Sequence, residues 1–275
     1  PNPTTSLCRR LRRNVGLYDH DWSAGLAHDN IGQCGPKEGG SVAEIIRIAN
    51  VHFDYDGKPV LQDISFSVMA GEAVVVLGPS GVGKSTILRL MAGLLEPDEG
   101  SVEVRSVRES GVHSRLVFQQ PRLFPWLSVR KNLHFALRAA KVPEAEWTQR
   151  LEPLMEQVGL MDELDSSTAS LSIGMAQRVA LVRSLVCQPS LLLLDEPFSA
   201  LDPKRRKQLQ QDLMKLVAFT GVSVVMVTHD IEEALDIGDH ILVLDGQPAG
   251  VVCSLRIDKQ EKKKAREQIE QHLLI

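Results

Sequence analysis

One eight-residue segment has the residue types needed to hold a phosphate group. Positions 78–85 read GPSGVGKS, which fits the pattern G-x-x-x-x-G-K-[ST], between an apolar run and a predicted helix. Glycines let the backbone N–H groups surround β- and γ-phosphates, and the helix N-terminus adds partial positive charge. A chance match to four fixed positions is expected in only about one chain of this kind in a hundred. We therefore predict a nucleotide-phosphate site, in which Lys84 supplies a charge and Ser85 a magnesium ligand. The residues assigned to it are Gly78, Pro79, Ser80, Gly81, Val82, Gly83, Lys84, Ser85 and Thr86.

A second segment, LLLLDEP at 191–197, ends in two acidic residues. Its four leucines predict a buried strand, whose end places Asp195 to hold magnesium directly or through water. Glu196 beside it is suited to polarise an attacking water. A phosphate loop alone fits GTPases, kinases, helicases and transport ATPases. The acidic strand end helps to choose among these classes of protein. The alternative, a solvated acidic turn, leaves Asp195 without a partner.

The elements that must position these residues alternate along the chain. Continuous apolar runs are typical of strands in a parallel sheet covered by helices, and they occur at 73–77, 191–194 and 222–227. Alternating stretches at 45–53 and 64–68, around a turn signal at 55–59, predict an antiparallel pair. Helices are predicted at about 84–94, 144–158, 174–187, 203–219 and 231–237. We predict an α/β fold: a phosphate-loop NTPase core with a mostly parallel sheet and an antiparallel β flank.

Composition excludes several classes of protein. Apolar residues make up 43% of the chain and charged residues 24%, which argues against a disordered, collagen-like or coiled-coil protein. The net charge of −4 provides no overall positive field, so we expect no nucleic-acid partner. No apolar run reaches the roughly 18 residues of a membrane span. No apolar segment follows the basic cluster at 9–13, so no secretory signal is expected.

The cysteines form no recognisable framework. Cys8, Cys34, Cys187 and Cys253 include no C-x-x-C pair. Neither a zinc site nor a disulfide framework is predicted, and a reducing compartment is expected.

Over about residues 45–252 the chain resembles the ATP-binding subunits of ABC transporters. The resemblance implies ATP and Mg²⁺ as cofactors. Tyr55 matches an aromatic residue that stacks on adenine, with a core or turn tyrosine as the alternative. Gln119, rather than its neighbour Gln120, matches the glutamine that reaches the magnesium and the attacking water.

Two further positions match that family. SALD at 199–202 matches the loop that couples two ATP sites across a dimer, which assigns dimer coupling to Asp202. His229 follows an apolar run and matches the histidine that contacts the γ-phosphate, although a lone histidine is more often structural. The resemblance thus implies catalysis by Glu196, His229 and Gln119, and magnesium binding by Ser85, Gln119 and Asp195.

The family's signature, LSGGQ, reads LSIGM at 171–175. Ser172 and Gly174 remain, and would offer a hydroxyl and a backbone N–H to ATP held by the opposite subunit. Ile173 replaces a glycine, and a β-branched residue disfavours positive φ. If the backbone there needs glycine, the penalty is about 1–3 kcal/mol, or about one to two decades in rate. If the backbone is ordinary, the cost is small. We expect reduced but real hydrolysis.

The segment PRLFPWLSVRKN at 121–132 carries aromatic residues and two prolines. In importers of the family this region accepts a coupling helix of a membrane subunit, and a packed surface loop is the alternative. Its LFPW wording and the stretch 100–116 resemble the branch that imports nitrate, taurine and alkanesulfonates. The resemblance implies a peripheral ATPase on the cytoplasmic face of the inner (plasma) membrane. Its implied partners are a second, identical ATPase subunit, two polytopic membrane subunits and an external solute-binding protein.

Two other functions stay open. One is a binding-only regulatory ABC subunit that has lost hydrolysis. The other is the ATPase of a different ABC system, which handles lipids, drives efflux, or acts in solution on ribosomes or DNA. Relatives of the soluble kind usually carry two cassettes or a long coiled-coil insertion, and this chain has neither.

Three parts are predicted along the chain. Residues 1–42 read as a poorly ordered extension, either a solvated tail or an arm for a partner. Residues 43–255 form the ATP-binding domain, with a helical signature subdomain at about 121–187. Residues 256–275 form a terminal helix with Ile269, Leu273 and Leu274 on its apolar edge.

Overall fold

The computed structural model describes residues 43–105, 112–258 and 261–273. Within them, strands form a single mixed sheet in the order β4-β1-β2-β9-β8-β3-β7-β6-β5. The strands are β1 Glu44–Tyr55, β2 Lys58–Met69, β3 Ala73–Leu77, β4 Glu99–Val104, β5 Ser114–Val117, β6 Leu191–Asp195, β7 Ser223–Thr228, β8 His240–Gly246 and β9 Ala249–Arg256. The helices are α1 Lys84–Met91, α2 Val129–Ala139, α3 Trp147–Gln157, α4 Ile173–Leu185, α5 Pro203–Thr220, α6 Ile231–Ile237 and α7 Lys262–Leu273.

The centre of the sheet is parallel. Strand β3 pairs in parallel with β7 and β8, and β6 pairs in parallel with β7 and β5. Every residue of β3 and β7 is buried. Val75 and Leu77 of β3 belong to one core cluster, whereas Val74 and Val76 belong to another. Helix-covered strands with two buried faces confirm the α/β fold predicted from the continuous apolar runs.

The flank of the sheet is antiparallel, as predicted. Strand β1 pairs antiparallel with β2 and with β4. The turn between β1 and β2 has only two central residues, Asp56 and Gly57, both with positive φ. Such turns match the twist of the paired strands. For that reason β2 begins at Lys58, earlier than the predicted start at residue 64.

Helix α2 is absent from the predicted helices. Ser128 caps its N-terminus by accepting a hydrogen bond from the N–H of Lys131. Val129, Leu133 and Leu137 are fully buried at helical spacing. The segment 121–132 is therefore a loop only up to Ser128, and the aromatic residues before it stand at the start of a helix.

The C-terminal part of the described chain adds two strands that were not predicted, β8 and β9. Strand β9 continues one residue past the predicted boundary at 255, because Arg256 pairs with His240. Helix α7 follows, and Ala265 and Ile269 are buried in the core. No helix of the described residues is long and apolar enough to cross a membrane. The three-part division stays a prediction.

Several predictions fall on parts of the chain that lie outside the described residues. They are the extension at 1–42 with Cys8 and Cys34, part of the stretch 100–116, and Leu274. The other two cysteines, Cys187 and Cys253, are free thiols.

Candidate active site

The predicted phosphate loop joins β3 to α1. Gly83 adopts a φ of 115° directly before the helix. A Cβ on Gly83 would lie 2.8 Å from the Leu61 side chain, and one on Gly78 would lie 2.6 Å from the carbonyl oxygen of Leu244. Both positions therefore require glycine, because a side chain would collide there. Gly83 requires it also because of its positive φ. The close packing holds a bare backbone turn at a helix N-terminus, which is the arrangement that binds phosphate.

Lys84 is buried at the first residue of α1. Its amine donates hydrogen bonds to the carbonyl oxygens of Gly78 and Pro79, each at 2.8 Å. Burial lowers the pKa of the Lys84 amine, while the Glu196 and Asp195 carboxylates act in the opposite direction. An amine with three donors can hold the loop and still offer a charge to a phosphate. The local sequence therefore builds a cationic loop whose shape is set within this chain.

Two of the three predicted magnesium ligands, Ser85 and Asp195, meet at the next position. The hydroxyl of Ser85 donates to Asp195 Oδ1 at 2.8 Å, which links α1 to the end of β6. Within the described residues no group of three or more His, Cys, Asp or Glu side chains is placed to hold a metal ion. Mg²⁺ commonly takes only one or two protein carboxylates and completes its shell with phosphate oxygens and water. A hydroxyl beside a carboxylate, next to a phosphate loop, fits that donor set.

Glu196 occupies the turn after β6 with its backbone in the left-handed region, at a φ of 43°. Non-glycine residues seldom adopt that conformation, and such positions cluster at active sites. The turn is held because the N–H of Glu196 donates to the carbonyl oxygen of Val227. Its two carboxylate oxygens lie 3.7 Å from the Lys84 amine and 3.3 Å from His229 Nδ1. Glu196 thus stands between the buried cation and an imidazole.

His229 lies between β7 and α6. Its ring is about half exposed, with 52% of the side-chain surface accessible. Asp230 caps α6 by accepting hydrogen bonds from the N–H groups of Glu232 and Glu233. The cap holds the loop that carries His229 at the sheet edge where Asp195 and Glu196 emerge. His229 therefore lies next to Glu196 at the end of the neighbouring strand, and its predicted γ-phosphate contact stays a prediction.

Gln119 follows β5 and does not join the Ser85–Asp195 pair. Its amide nitrogen donates to Ser199 Oγ at 2.8 Å, and Ser199 in turn donates to the carbonyl oxygen of Glu196 at 3.0 Å. Ser199 begins the SALD segment, in which a role was predicted only for Asp202. Its position three residues after Glu196 is a common spacing for a hydroxyl that bonds back to the main chain. The predicted magnesium contact of Gln119 stays a prediction.

Tyr55 ends β1 at the hairpin turn. Its ring makes a T-shaped contact with Phe53 at 4.9 Å, and its hydroxyl accepts a hydrogen bond from Arg89 at 3.4 Å. About a third of the residue is exposed, at 37%. An anchored, partly exposed ring is suitable for stacking, and the adenine contact stays a prediction.

The signature segment forms the N-terminus of α4. Ser172 is the capping residue, and its hydroxyl accepts a hydrogen bond from the N–H of Met175 at 3.3 Å. Ile173 is the first helical residue, is 55% exposed and is not among the residues with positive φ. A Cβ on Gly174 would meet nothing within 4 Å. The backbone is therefore ordinary at both positions, so within this chain Ile173 carries no backbone penalty.

Asp202 caps α5. Its carboxylate accepts from the N–H of Arg205 at 3.1 Å and lies 3.3 Å from the Arg205 guanidinium. About half of its side chain is exposed. The cap explains the local structure, while the predicted coupling across a dimer stays a prediction.

Aromatic side chains form a surface cluster near the start of α2. Phe124 lies 5.6 Å from Trp126 and 4.8 Å from Phe135, measured between ring centroids. Trp126 is 76% exposed and Phe135 is 53% exposed. The loop below them is rigid, because the buried amide of Asn132 bonds to both the N–H and the carbonyl oxygen of Phe124. We call Phe124, Trp126 and Phe135 the aromatic surface.

Comparisons with known proteins indicate one family. The family model for ABC transporters matches residues 61–199. An aliphatic sulfonates import ATP-binding protein, SsuB 1 of Xanthomonas axonopodis pv. citri, is 43% identical over 226 residues, which is 79% of this chain and 90% of that protein. The taurine import ATP-binding protein TauB of Pseudomonas aeruginosa is 39% identical over 214 residues, which is 77% of this chain and 81% of that protein.

A solved structure has the same fold. CbiO1 from Clostridium perfringens, part of the ABC transporter complex cbiONQ, superposes with a TM-score of 0.71 at 27% identity. The match covers 83% of this chain and 94% of that protein.

Proposed function

The chain belongs to the ABC transporter family, as an ATP-binding subunit that hydrolyses ATP, and we propose that it powers a membrane importer of a small oxyanion. The observation that carries the catalytic part of this proposal is the position of Glu196 between Lys84 and His229. The nearby Ser85–Asp195 pair supports a magnesium site at the same sheet edge. The contacts of Glu196 and the Ser85–Asp195 pair involve adjacent residues of the same two elements, which argues for a single hydrolytic site.

Each residue of this set has a proposed task. Mg²⁺, when bound with ATP, would supply positive charge that offsets the negative charge developing on the phosphates during hydrolysis. Lys84 contributes positive charge to the phosphates, while Ser85 and Asp195 hold the metal. Glu196 accepts a proton from the attacking water, and His229 contacts the γ-phosphate.

The proposed substrate is a sulfonate, such as taurine or an alkanesulfonate, with nitrate as a further small oxyanion. The support is the names of two relatives that each match over three quarters of this chain at about 40% identity. The segment LFPW at 123–126 is part of the same argument from sequence. The solute itself would contact other subunits, so this chain supplies energy rather than selectivity.

The proposed partners are two polytopic membrane subunits, an external solute-binding protein and a second copy of this chain. The aromatic surface supports the first of these, because exposed aromatic rings on a rigid loop form a suitable seat for a partner helix. The membrane subunits would keep the chain on the cytoplasmic face of the inner membrane. The segment Ser172–Gly174 supports the second copy, because Ser172 and Ile173 are exposed and no hydrogen bond among the described residues joins their side chains to the rest of the site.

A binding-only regulatory subunit is not favoured. Its one support was Ile173, and the ordinary backbone at that residue removes the expected conformational penalty. The residues proposed for hydrolysis are in contact with one another, which a subunit without catalysis would not need. The other ABC systems are less favoured because the relatives cited above are named as importers of sulfonates and taurine.

Uptake measurements test the importer assignment. In cells that lack the gene, uptake of radiolabelled taurine, ethanesulfonate and nitrate should fall to background for at least one of the three. The intact gene should restore that uptake, whereas a gene encoding Glu196→Gln should not. Unchanged uptake of all three solutes after deletion would contradict the assignment, and restoration by Glu196→Gln would contradict the role of hydrolysis.

A further inference from the structure

Helix α4 contacts two segments that each follow a residue proposed for hydrolysis. From its first half, the amide nitrogen of Gln177 donates to the carbonyl oxygen of Pro197 at 3.1 Å, one residue after Glu196. From its second half, the guanidinium of Arg183 donates to the carbonyl oxygens of Pro121 and Arg122 at 3.0 and 2.9 Å. Those two carbonyls follow Gln119 closely in the chain. One helix therefore holds both segments.

Gln177 is buried, with 6% of its surface exposed. Its side-chain oxygen is also buried and has no hydrogen-bond partner within the ranges that the structure covers. An unpaired buried acceptor destabilises a protein, and an apolar side chain of similar size would fill the same space without it. Packing alone does not account for an amide here. The feature that an amide provides is the bond to Pro197, which restrains the strained turn of Glu196.

Arg183 is a partly buried cation that bonds to neutral oxygens. Burial lowers the pKa of its guanidinium, and the hydrogen bonds described for it go to main-chain carbonyl oxygens rather than to a carboxylate. Both of its hydrogen bonds go to carbonyl oxygens of one main-chain turn. That turn is unfavourable by itself, because Arg122 has a φ of 45°. The other side of the turn is held by the Arg122 guanidinium, which lies 3.9 Å above the Phe118 ring.

We propose that Gln177 and Arg183 are positioning residues for hydrolysis, each acting on a different part of the site. Gln177 restrains the turn that orients Glu196, and Arg183 restrains the loop that carries Gln119. Neither side chain touches the proposed nucleotide contacts, so both act through main-chain carbonyls. The inference rests on the proposed function, which takes Glu196 as the base, and on the sequence prediction that Gln119 reaches magnesium.

The two positions predict different kinetic defects. A misplaced catalytic group slows the chemical step even when binding is intact. For Gln177→Leu we expect kcat to fall about tenfold or more, with ATP affinity and the Mg²⁺ half-saturation unchanged. For Arg183→Met we expect a similar fall in kcat together with a rise of about fivefold in the Mg²⁺ half-saturation, because Gln119 is displaced. Arg183→Lys should recover part of both losses, since an ammonium can donate to one or both carbonyls.

The experiment measures ATP hydrolysis by the purified full chain against Mg²⁺ concentration, ATP binding by equilibrium dialysis, and thermal unfolding of each variant. Arg138→Met is the matched control, because Arg138 is 75% exposed and pairs with an exposed Glu144, and its guanidinium lies 5.5 Å from the Trp147 ring, away from the proposed site. The control should match the unaltered chain. Gln177→Leu removes one unpaired buried acceptor, the Gln177 oxygen, and leaves another, the Pro197 carbonyl oxygen, so its unfolding temperature should stay close to that of the unaltered chain. A fall in kcat without a fall in unfolding temperature separates positioning from a structural role.

The possible results distinguish a failure of the inference from a failure of the proposed function. Wild-type kcat and Mg²⁺ half-saturation in both variants, with hydrolysis by the unaltered chain abolished by Glu196→Gln, would overturn the inference and leave the proposed function intact. Absence of hydrolysis in the unaltered chain would overturn the proposed function. If Arg183→Met does not fold, Arg183→Gln decides, because the shorter amide side chain cannot reproduce both guanidinium bonds: a folded Gln variant with unchanged kcat and Mg²⁺ half-saturation overturns the inference. Losses of kcat that only follow lower unfolding temperatures would also overturn it.

Discussion

The phosphate loop and the signature segment are both helix N-termini, and they differ in how much of their environment this chain supplies. Lys84, at the start of α1, is 4% exposed and bonds to two loop carbonyls. Ser172, at the start of α4, is exposed, and its hydroxyl only caps its own helix. Added side-chain atoms would collide at Gly78 and Gly83, whereas they would meet nothing at Gly174.

This difference supports the proposal that the phosphate loop is built within the chain, whereas the signature segment serves a second copy. A glycine that the chain itself does not need is explained if a second surface approaches it. Ser172 caps α4, and its exposed side chain is also accessible to such a surface. The comparison therefore predicts that substitutions at the phosphate loop affect nucleotide binding by the isolated chain, while substitutions at the signature affect steps that need a second copy.

The largest effect is expected for Lys84→Ala. The change removes a buried charge that we place against the phosphates, so ATP affinity should fall at least about tenfold and hydrolysis about a thousandfold. Equilibrium dialysis with ATP and phosphate release measure the two quantities. Lys131→Ala, on the exposed side of α2, is the control. Hydrolysis within a few-fold of normal would contradict the phosphate role of Lys84.

Next in size is Glu196→Gln. This change keeps the shape of the side chain and removes the proton acceptor, so hydrolysis should fall by about 10²–10⁴ while ATP affinity is kept. Single-turnover hydrolysis and dialysis separate the two effects. Normal turnover in this variant would mean that another group activates the water.

A matched pair of caps sharpens the comparison directly. Ser172 and Ser128 both cap a helix by accepting an N–H hydrogen bond at 3.3 Å. Substitution by alanine should lower the free energy of unfolding by about 1 kcal/mol in each case. Only Ser172→Ala should also slow hydrolysis, by about tenfold, because only Ser172 is proposed to reach a nucleotide across a dimer. Equal hydrolysis by the two variants at equal stability would remove that role.

The smallest effect is expected for Ile173→Gly, which restores the family's usual residue. Since the backbone there is helical and ordinary, hydrolysis should change by less than about threefold. Stability should fall by about half a kcal/mol, because glycine is the poorer helix former. Denaturant unfolding and steady-state hydrolysis measure both. An increase of tenfold or more would show that Ile173 does limit the reaction.

Local patterns were sufficient to predict the phosphate loop and the acidic strand end. Buried apolar runs predicted β3 and β6. The contact between Ser85 and Asp195 follows from the sheet order, because one parallel strand, β7, lies between β3 and β6. Strand β8 has an equally apolar run at 241–244 and was available to the same reasoning. Helix α2 was not predicted, because the two prolines before it favour a loop.

The rest of the site depends on contacts between distant parts of the chain. Gln119 and Ser199 are 80 residues apart, and Arg183 lies 61 residues from the Arg122 carbonyl that it binds. No periodicity or spacing specifies such pairs, because any buried polar side chain on α4 could have bonded elsewhere. The absence of a backbone penalty at Ile173 was likewise unpredictable, since it depends on a dihedral angle.

The central claim is that the exposed signature segment completes an ATP site on a second copy of this chain. The most direct test is the sedimentation mass of purified Glu196→Gln protein with and without Mg-ATP, because that variant should bind ATP without releasing it by hydrolysis. We predict a monomer without nucleotide and a dimer with Mg-ATP, with Ser172→Ala weakening the dimer in the same background. A monomer at saturating Mg-ATP would contradict the account.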